Sequence, residues 1–298
     1  MASAFGDKAA IILVNWNGWE DTVACLDSCA DLEYPNREII VVDNGSTNDS
    51  VARIRAAHPE VTLIETGTNL GFAGGNNVGI EAALPDGAQF VWLLNNDTTV
   101  EPPALGALIE ALVANPRAGV AGSKITYFDH PDVLWYAGGE FTPEGPVRHR
   151  GLDAKDNGQF EQLEETGFIT GCSLLTTAEV LNHVGLLAEE YFLYWEEADF
   201  DSRAHSAGYT LLYVPRSVVR HKVAGSLGES WSIKQTTYIV RNMLLFYQRS
   251  EPSRVPEIYR KARRDAIDHL LHNRAGLARA TFAGMRLFRR GQFGPIPD

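Results

Sequence analysis

Five polar clusters in this chain carry residue types able to do chemistry. Asp43-Asn44-Gly45-Ser46-Thr47 sets a carboxylate at the end of an apolar run, where it can accept hydrogen bonds from a base N–H or a ribose hydroxyl while Gly45 and Ser46 turn the chain. Asn95-Asn96-Asp97 ends another apolar run. Asp97 can offer one hard oxygen to a divalent cation whose other ligands are diphosphate oxygens, and such a cation neutralises charge growing on a leaving diphosphate. Trp195-Glu196-Glu197-Ala198-Asp199 crowds three acids among aromatic residues. Glu196 and Asp199 share a helical face and Glu197 points elsewhere. Carboxylates packed against rings tend toward raised pKa values, which suits a general base. The stretch Asn69-Leu70-Gly71-Phe72-Ala73-Gly74-Gly75-Asn76-Asn77 packs glycines ahead of a helix, so that backbone N–H groups can approach a phosphate or sugar. His221, at the end of a strand-like stretch over 217–220, is an imidazole ligand candidate.

Each cluster alone also has a plain structural reading: a tight turn, a helix-capping Asp, an acidic first helical turn favoured by the helix dipole, a loop, a lone structural histidine. The elements around them raise the functional reading. Apolar runs at 9–14, 38–42, 61–65 and 90–94 read as buried strands, and helical periodicity covers 19–32, 50–57, 76–83 and 103–114. Strand and helix in alternation mean crossover units and a mostly parallel sheet with helices on both faces. Ligands bind such sheets at the carboxyl ends of the strands, and Asn15-Trp16-Asn17, Asp43–Ser46 and Asn95–Asp97 all fall there, which predicts one site built from three clusters. Farther on, 124–151 reads as short strands and loops, 168–175 and 210–214 as strands, and 233–248 and 258–287 as amphipathic helices.

The 298 residues carry 26 Lys and Arg against 38 Asp and Glu, a net charge of −12, and 45% are hydrophobic, an ordinary globular mix. Ten of the basic residues lie in 254–291 with only three acids (Glu257, Asp265 and Asp268), so the rest of the chain is strongly acidic. That argues against nucleic-acid binding and points the basic segment toward a local anionic surface such as a membrane face, with a packed helix presenting a solvated basic face as the alternative. Cys25, Cys29 and Cys172 are too few and too scattered for a zinc site and suit a reducing compartment. The N-terminus lacks the layout of a signal peptide and no apolar run spans a bilayer, which predicts a cytoplasmic protein, soluble or peripheral at the inner face of the plasma membrane.

The ordered set Val14-Asn15-Trp16-Asn17-Gly18, Val41-Val42-Asp43-Asn44-Gly45-Ser46-Thr47, Asn69 to Asn77, Leu94-Asn95-Asn96-Asp97, Thr170-Gly171-Cys172, Phe192-Leu193-Tyr194-Trp195-Glu196-Glu197-Ala198-Asp199, Gly208-Tyr209, Val214-Pro215 and His221 resembles glycosyltransferase family 2, especially its rhamnosyltransferase and galactofuranosyltransferase-like branch, over roughly residues 9–226. The resemblance implies an α/β GT-A fold: a catalytic domain over 1–226, with a nucleotide-binding half (1–123) and an acceptor-binding half (124–226), followed by a C-terminal helical extension over 227–298. It implies inverting transfer of a sugar from a nucleotide-diphosphate donor, of the dTDP-rhamnose or UDP-hexose type, to an acceptor hydroxyl in bacterial polysaccharide or cell-wall glycan synthesis. Asp43 is then expected near the base or ribose, Asp97 and His221 on Mn2+ or Mg2+, and Glu197 as the base, with Glu196 and Asp199 as rivals. Asn15, Asn17, Asn44, Asn69, Gly74, Asn76, Asn95 and Asn96 complete the expected donor site, and Trp195, Gly171 and Arg241 the acceptor side. Two positions depart from the family pattern: Asn95 stands where many members carry a first Asp, and the base is Glu where it is often Asp. A glycan or lipid-linked acceptor, peripheral membrane contact through 254–298 and an oligomer are all compatible with this reading. Nucleotidyl transfer would need a Gly-rich, Arg- or Lys-bearing loop after the first strand, and a non-catalytic carbohydrate-binding module would not need the acidic cluster.

Overall fold

The computed structural model describes residues 6–223 and 233–296. The first half alternates as the apolar runs predict: β1 (Ala9–Asn15), α1 (Trp19–Ala30), β2 (Arg37–Asp43), α2 (Ser50–Ala57), β3 (Thr62–Glu65), α3 (Gly71–Ala83) and β4 (Phe90–Leu94). Then come β5 (Thr98–Val100), α4 (Ala104–Ala114), β6 (Ala118–Tyr127), β7 (Leu134–Tyr136), β8 (Gly139–Phe141), β9 (Val147–His149), β10 (Glu164–Thr166), β11 (Ser173–Thr177), α5 (Ala178–Val184), α6 (Glu196–Ser206) and β12 (Thr210–His221). Three helices follow, α7 (Ile233–Ser250), α8 (Val255–Leu271) and α9 (Ala275–Arg289).

The main sheet runs β10-β12-β6-β11-β4-β1-β2-β3, with β5 on β12 and β7 on β6, while β8 and β9 form a separate ribbon. The expected parallel arrangement holds for β3-β2-β1-β4. Beyond β4 the sheet is mixed, because β11 enters antiparallel between β4 and β6. Alternate strand residues feed opposite faces: Ile11, Leu13 and Trp92 join α1 and α4 in one core, and Ile12, Ile40 and Leu93 join α3, α5 and α6 in the other. The two expected halves therefore share one sheet, and the boundary between 123 and 124 falls inside β6. The expected boundary between 226 and 227 lies outside the described residues.

Four sequence expectations change. Residues 71–75 are not a loop but the opening turns of α3, where glycine lets the helix approach β1: a Cβ on Gly79 would meet Ile12 Cγ2 at 2.5 Å and one on Gly75 would meet Val14 Cγ1 at 2.8 Å. The strand expected over 168–175 begins only at Ser173, since Phe168–Cys172 makes the approach to the site. The stretches read as separate strands around Pro215 are one strand, β12, in which the proline sits at a register shift between Val214 and Val218, where its missing N–H costs no ladder bond. The single helix expected over 258–287 breaks after Leu271 into α8 and α9.

Gly79→Ala therefore overpacks the α3–β1 contact. The clash costs about 1–3 kcal/mol against a gain of about 1 kcal/mol in helix propensity, so a lowered urea midpoint at unchanged m-value is the expected outcome; a midpoint at or above wild type would contradict the packing.

Candidate active site

The three strand-end clusters meet in a hydrogen-bonded chain. Parallel pairing sets Asn15 beside Asp43 at the ends of β1 and β2. Asn96 Nδ2 donates to Thr22 Oγ1 (2.8 Å), Thr22 Oγ1 to Asn15 Oδ1 (2.8 Å), and Asn15 Nδ2 to Asp43 Oδ1 (2.8 Å). Ser46 donates to Asp43 through both its hydroxyl (2.6 Å) and its backbone N–H (3.0 Å). Asn17, in the left-handed region at φ 59, accepts from Thr47 N–H at 2.8 Å and so locks the turn. Thr22, one turn into α1, was not singled out in the sequence; only its position under the end of β1 reveals the link.

Asn44 plays a different part. Its Oδ1 accepts from Leu70 N–H (2.9 Å) and its Nδ2 donates to Gly71 O (2.9 Å), while Asn69 Oδ1 takes Gly71 N–H (2.8 Å) and Phe192 O takes Phe72 N–H (2.7 Å). The N–H groups of 70–72, expected to face a phosphate, are thus turned to protein acceptors. Gly74 and Asn76 lie within α3: a Cβ on Gly74 would meet Leu70 Cβ at 2.8 Å, and Asn76 Nδ2 donates to Phe72 O at 2.9 Å.

Asp97 and His221 come together because β12 pairs antiparallel with β5, setting His221 opposite Thr98. Asp97 Oδ1 and His221 Nε2 are 3.1 Å apart. Neither that oxygen nor His221 Nδ1 makes a hydrogen bond, although both atoms are buried. The Trp135 ring stands edge-on to His221, centroids 4.7 Å apart. Burial pushes the His221 imidazole down, but the Cys172 and Asp97 side chains more than reverse this and raise it to about 10. Burial keeps the Cys172 thiol itself up. A carboxylate oxygen whose one close partner is an imidazole nitrogen fits a Mn2+ or Mg2+ ion that draws its remaining ligands from a diphosphate. Among the described residues no group of three or more His, Cys, Asp or Glu forms a complete protein cage.

The acidic cluster opens α6, in its first turn. Asp199 is held by Tyr191 Oη (3.0 Å) and Arg203 Nε (2.7 Å), which marks it as a structural anchor. Glu196 and Glu197 each retain a buried oxygen without a hydrogen bond. Burial raises both carboxyls, Glu196 strongly, with the Glu197 charge adding to it. For Glu197 the N–H groups of Glu197, Gly171, Ala198 and Trp195 partly offset the burial. Glu197 is the less buried of the two, and its Cβ lies 3.6 Å from where a Gly171 Cβ would stand. The next residue, Cys172, accepts Asn95 N–H at 3.0 Å through its carbonyl. Gly171-Cys172 thereby joins the Glu197 end of the site to the Asp97 and His221 end.

A strained segment carries these glutamates. Phe192, Tyr194 and Trp195 all have positive φ (66, 68 and 78°) without being glycine, at a cost of about 1–3 kcal/mol each. Asn242 of α7, fully buried, holds the segment: its Nδ2 lies 2.8–2.9 Å from the carbonyl oxygens of Tyr191, Leu193 and Tyr194. Arg241 donates to Tyr191 O (3.0 Å), Gly294 O (2.7 Å) and Asn242 Oδ1 (2.8 Å). Arg241, expected on the acceptor side, is 1% exposed and acts as part of this clamp; Trp195 is buried against Phe246. The expected C-terminal helices are present, and α7, the first of them, packs its Arg241 and Asn242 against the segment that carries the glutamates.

Comparison with known proteins agrees with this geometry. Residues 10–185 match the glycosyl transferase family 2 domain. Over 211 residues the chain is 30% identical to N-acetylglucosaminyl-diphospho-decaprenol L-rhamnosyltransferase of Mycobacterium tuberculosis, covering 64% of this chain and 68% of that one. It is 27% identical over 200 residues to the low-salt glycan biosynthesis hexosyltransferase Agl10 of Haloferax volcanii, covering 66% and 62%. In fold it is similar to GalNAc-T7, solved with UDP, GalNAc and Mn2+ (TM-score 0.65, 14% identity, 95% of this chain and 56% of that chain). It is also similar to the mannosyltransferase PcManGT of Pyrobaculum calidifontis, solved with GDP-Man and Mn2+ (TM-score 0.57, 16% identity, 97% and 76%). The chain thus spans just over half the length of GalNAc-T7. The fold is that of a GT-A glycosyltransferase. The chain belongs to glycosyl transferase family 2.

Asn242→Ala removes the amide from three buried carbonyls. We expect destabilisation of about 2–4 kcal/mol and a fall in kcat with little change in donor KM, because the strands holding the donor side are untouched. A variant of wild-type melting temperature and kcat would refute the clamp.

Proposed function

We propose that the chain catalyses inverting transfer of a sugar from a nucleotide-diphosphate donor, of the dTDP-rhamnose or UDP-hexose type, to an acceptor hydroxyl of a growing glycan, free or lipid-linked. The observation that carries this reading is the junction at Gly171-Cys172, which lies against Glu197 on one side and, through the Cys172 carbonyl on Asn95 N–H, against the turn that carries Asp97 on the other. Relatives named as a rhamnosyltransferase acting on a decaprenol-linked sugar and as a glycan hexosyltransferase support the donor and acceptor classes.

In this reading the Asp43 turn receives the nucleoside, with Asn15 and Ser46 fixing the carboxylate so that its remaining lone pairs face one direction. Asp97 and His221 would hold a divalent cation, which when bound would supply charge neutralisation for the departing diphosphate. Neutral imidazole is the ligand form, so His221 would have to give up its proton to serve there. Glu197 accepts the proton of the acceptor hydroxyl as that oxygen attacks the anomeric carbon from the face opposite the diphosphate; the C–O bond to diphosphate breaks as the new one forms, and the anomeric configuration inverts. Glu196, more deeply buried, takes the repulsion from the Glu197 charge on top of its own burial, which leaves Glu197 as the member of the pair that titrates at the lower pH.

Glu197→Gln should lower kcat by about two to four orders of magnitude with nucleotide binding retained; near-normal turnover would exclude Glu197 as the base. Because burial lifts the carboxyl above its ordinary value of 4.5, activity should fall on acidification along a limb lying above pH 4.5.

Mn2+ binding in the presence of a nucleoside diphosphate should tighten with rising pH from about 6.5, the ordinary imidazole value, toward 10, since His221 holds its proton over that range. Calorimetry in buffers of different ionisation enthalpy should register about one proton released per cation, and Asp97→Ala should abolish the binding. A pH-independent affinity, or unchanged titration in the variant, would remove the cation from this pair.

A further inference from the structure

The basic segment noted in the sequence forms a surface that the catalytic reading leaves unused. α8 and α9 pack as a hairpin against α7, burying Ile258, Ala262 and Ala266 of one helix and Ala278, Thr281, Gly284 and Met285 of the other. Gly284 permits the close approach to α7: a Cβ there would meet Thr237 O at 2.7 Å. The inward faces are thus satisfied, and what remains points outward.

Along α9, Arg279, Phe282, Arg286 and Arg289 recur at spacings of three and four and are all exposed, which makes one outer stripe. A concavity lies on each side of it. One, about 620 Å3, is walled by Arg263 of α8 and by Arg286, Arg289 and Arg290, with Tyr259 and Phe282 between them. The other, about 540 Å3, is bounded by Ile233, Arg279, Phe282 and Arg286. Elsewhere on the hairpin Lys261 pairs with Asp265 at 2.6 Å and Arg274 with Asp268 at 2.9 Å, while Arg260 and Arg264 line neither concavity. Arg263, Arg279, Arg286, Arg289 and Arg290 have no acidic partner within ion-pair distance among the described residues. Five unpaired guanidinium groups on two helices repel one another, and the arrangement becomes favourable when an external anion enters between them. The apolar side chains interleaved with them are exposed as well: Phe282 at 41%, Ile267 at 44% and, at the turn of the hairpin, Leu271 at 78%.

We propose that the outer face of the α8–α9 hairpin docks on an anionic phospholipid surface, with lipid phosphates seated in the two arginine-lined concavities and Phe282 in the boundary between headgroups and acyl chains. The inference extends the lipid-linked acceptor reading but rests on different residues. Charge decides between partners. A nucleic acid would bring its phosphates against the strongly acidic remainder of the chain, whereas a flat bilayer meets the basic face alone. Arginine alternating with exposed Phe, Ile and Leu is also the composition of an interfacial helix, whose cations meet headgroup phosphates while its apolar groups leave water.

The test is co-sedimentation of the full chain with vesicles of phosphatidylcholine alone or with about one third phosphatidylglycerol. Binding should require the anionic lipid and should weaken steeply in high salt. Arg286→Gln/Arg289→Gln should reduce partitioning about thirtyfold, from about 1 kcal/mol per cation near an anionic surface, with an unchanged melting temperature and unchanged turnover of a soluble acceptor. Phe282→Ser should weaken binding while leaving its salt dependence intact. Equal partitioning onto neutral vesicles, wild-type partitioning of the double variant, comparable binding to duplex DNA, or saturable binding of glycerol phosphate without vesicle binding would each overturn the proposal. Since sedimentation needs no turnover, loss of the transferase reading would leave this outcome legible, and the reverse also holds.

Discussion

Everything at this site depends on how parallel strands end. A strand leaving the sheet at its carboxyl end carries side chains that have no ladder to join, and neighbouring parallel strands deliver those ends to one plane. Here that plane is polar: Asn15, Asp43 and Asn96 arrive from β1, from β2 and from the turn after β4. Buried polar groups must find partners, and these find each other through Thr22, so a chain of bonds at 2.8 Å runs from Asn96 to Asp43. The same demand fixes side-chain direction, which is what a nucleotide site needs before any nucleotide arrives.

The opposite wall is held by strain and its compensation. The segment from Phe192 to Trp195 takes left-handed backbone conformations that no glycine eases. Left alone it would relax and carry α6 with it. Asn242 prevents this by gathering three carbonyl groups, and Arg241 fastens the clamp to Gly294 near the end of the described chain. Thus a helix some forty residues beyond the acidic cluster helps fix where Glu196 and Glu197 stand, and α7 supports the site from behind.

The legible parts of the sequence were those set by local rules. Continuous apolar runs located β1, β2 and β4, and polar residues immediately after them located the clusters that meet at the strand ends, because strand burial and strand ends are both read within a few residues. The glycine-rich stretch misled for an instructive reason. Glycine signals close backbone approach but not what approaches, and at Gly75 and Gly79 the neighbour is β1 rather than a phosphate. Thr22, the pairing of β12 with β5, and the Asn242 clamp were not legible, since each joins residues whose contact exists only after the sheet order is fixed.

The same logic separates the carboxylates. Asp43 is spent on Asn15 and Ser46, Asp199 on Tyr191 and Arg203, and one oxygen of Asp201 on the N–H of Ile169 at 2.6 Å. Those partners occupy lone pairs that a substrate hydroxyl would otherwise reach. Glu196 and Glu197 face the reverse: burial without enough donors, beside one another, so that protonation of the pair is favoured and a proton from a neighbouring hydroxyl has somewhere to go. Of these two, Glu197 alone reaches toward Gly171 and thus toward the cation side of the site. The proposal of Glu197 as base rests on its place beside Gly171 and on one buried oxygen left without a hydrogen bond, more than on its place in a run of acids that looks uniform in the sequence.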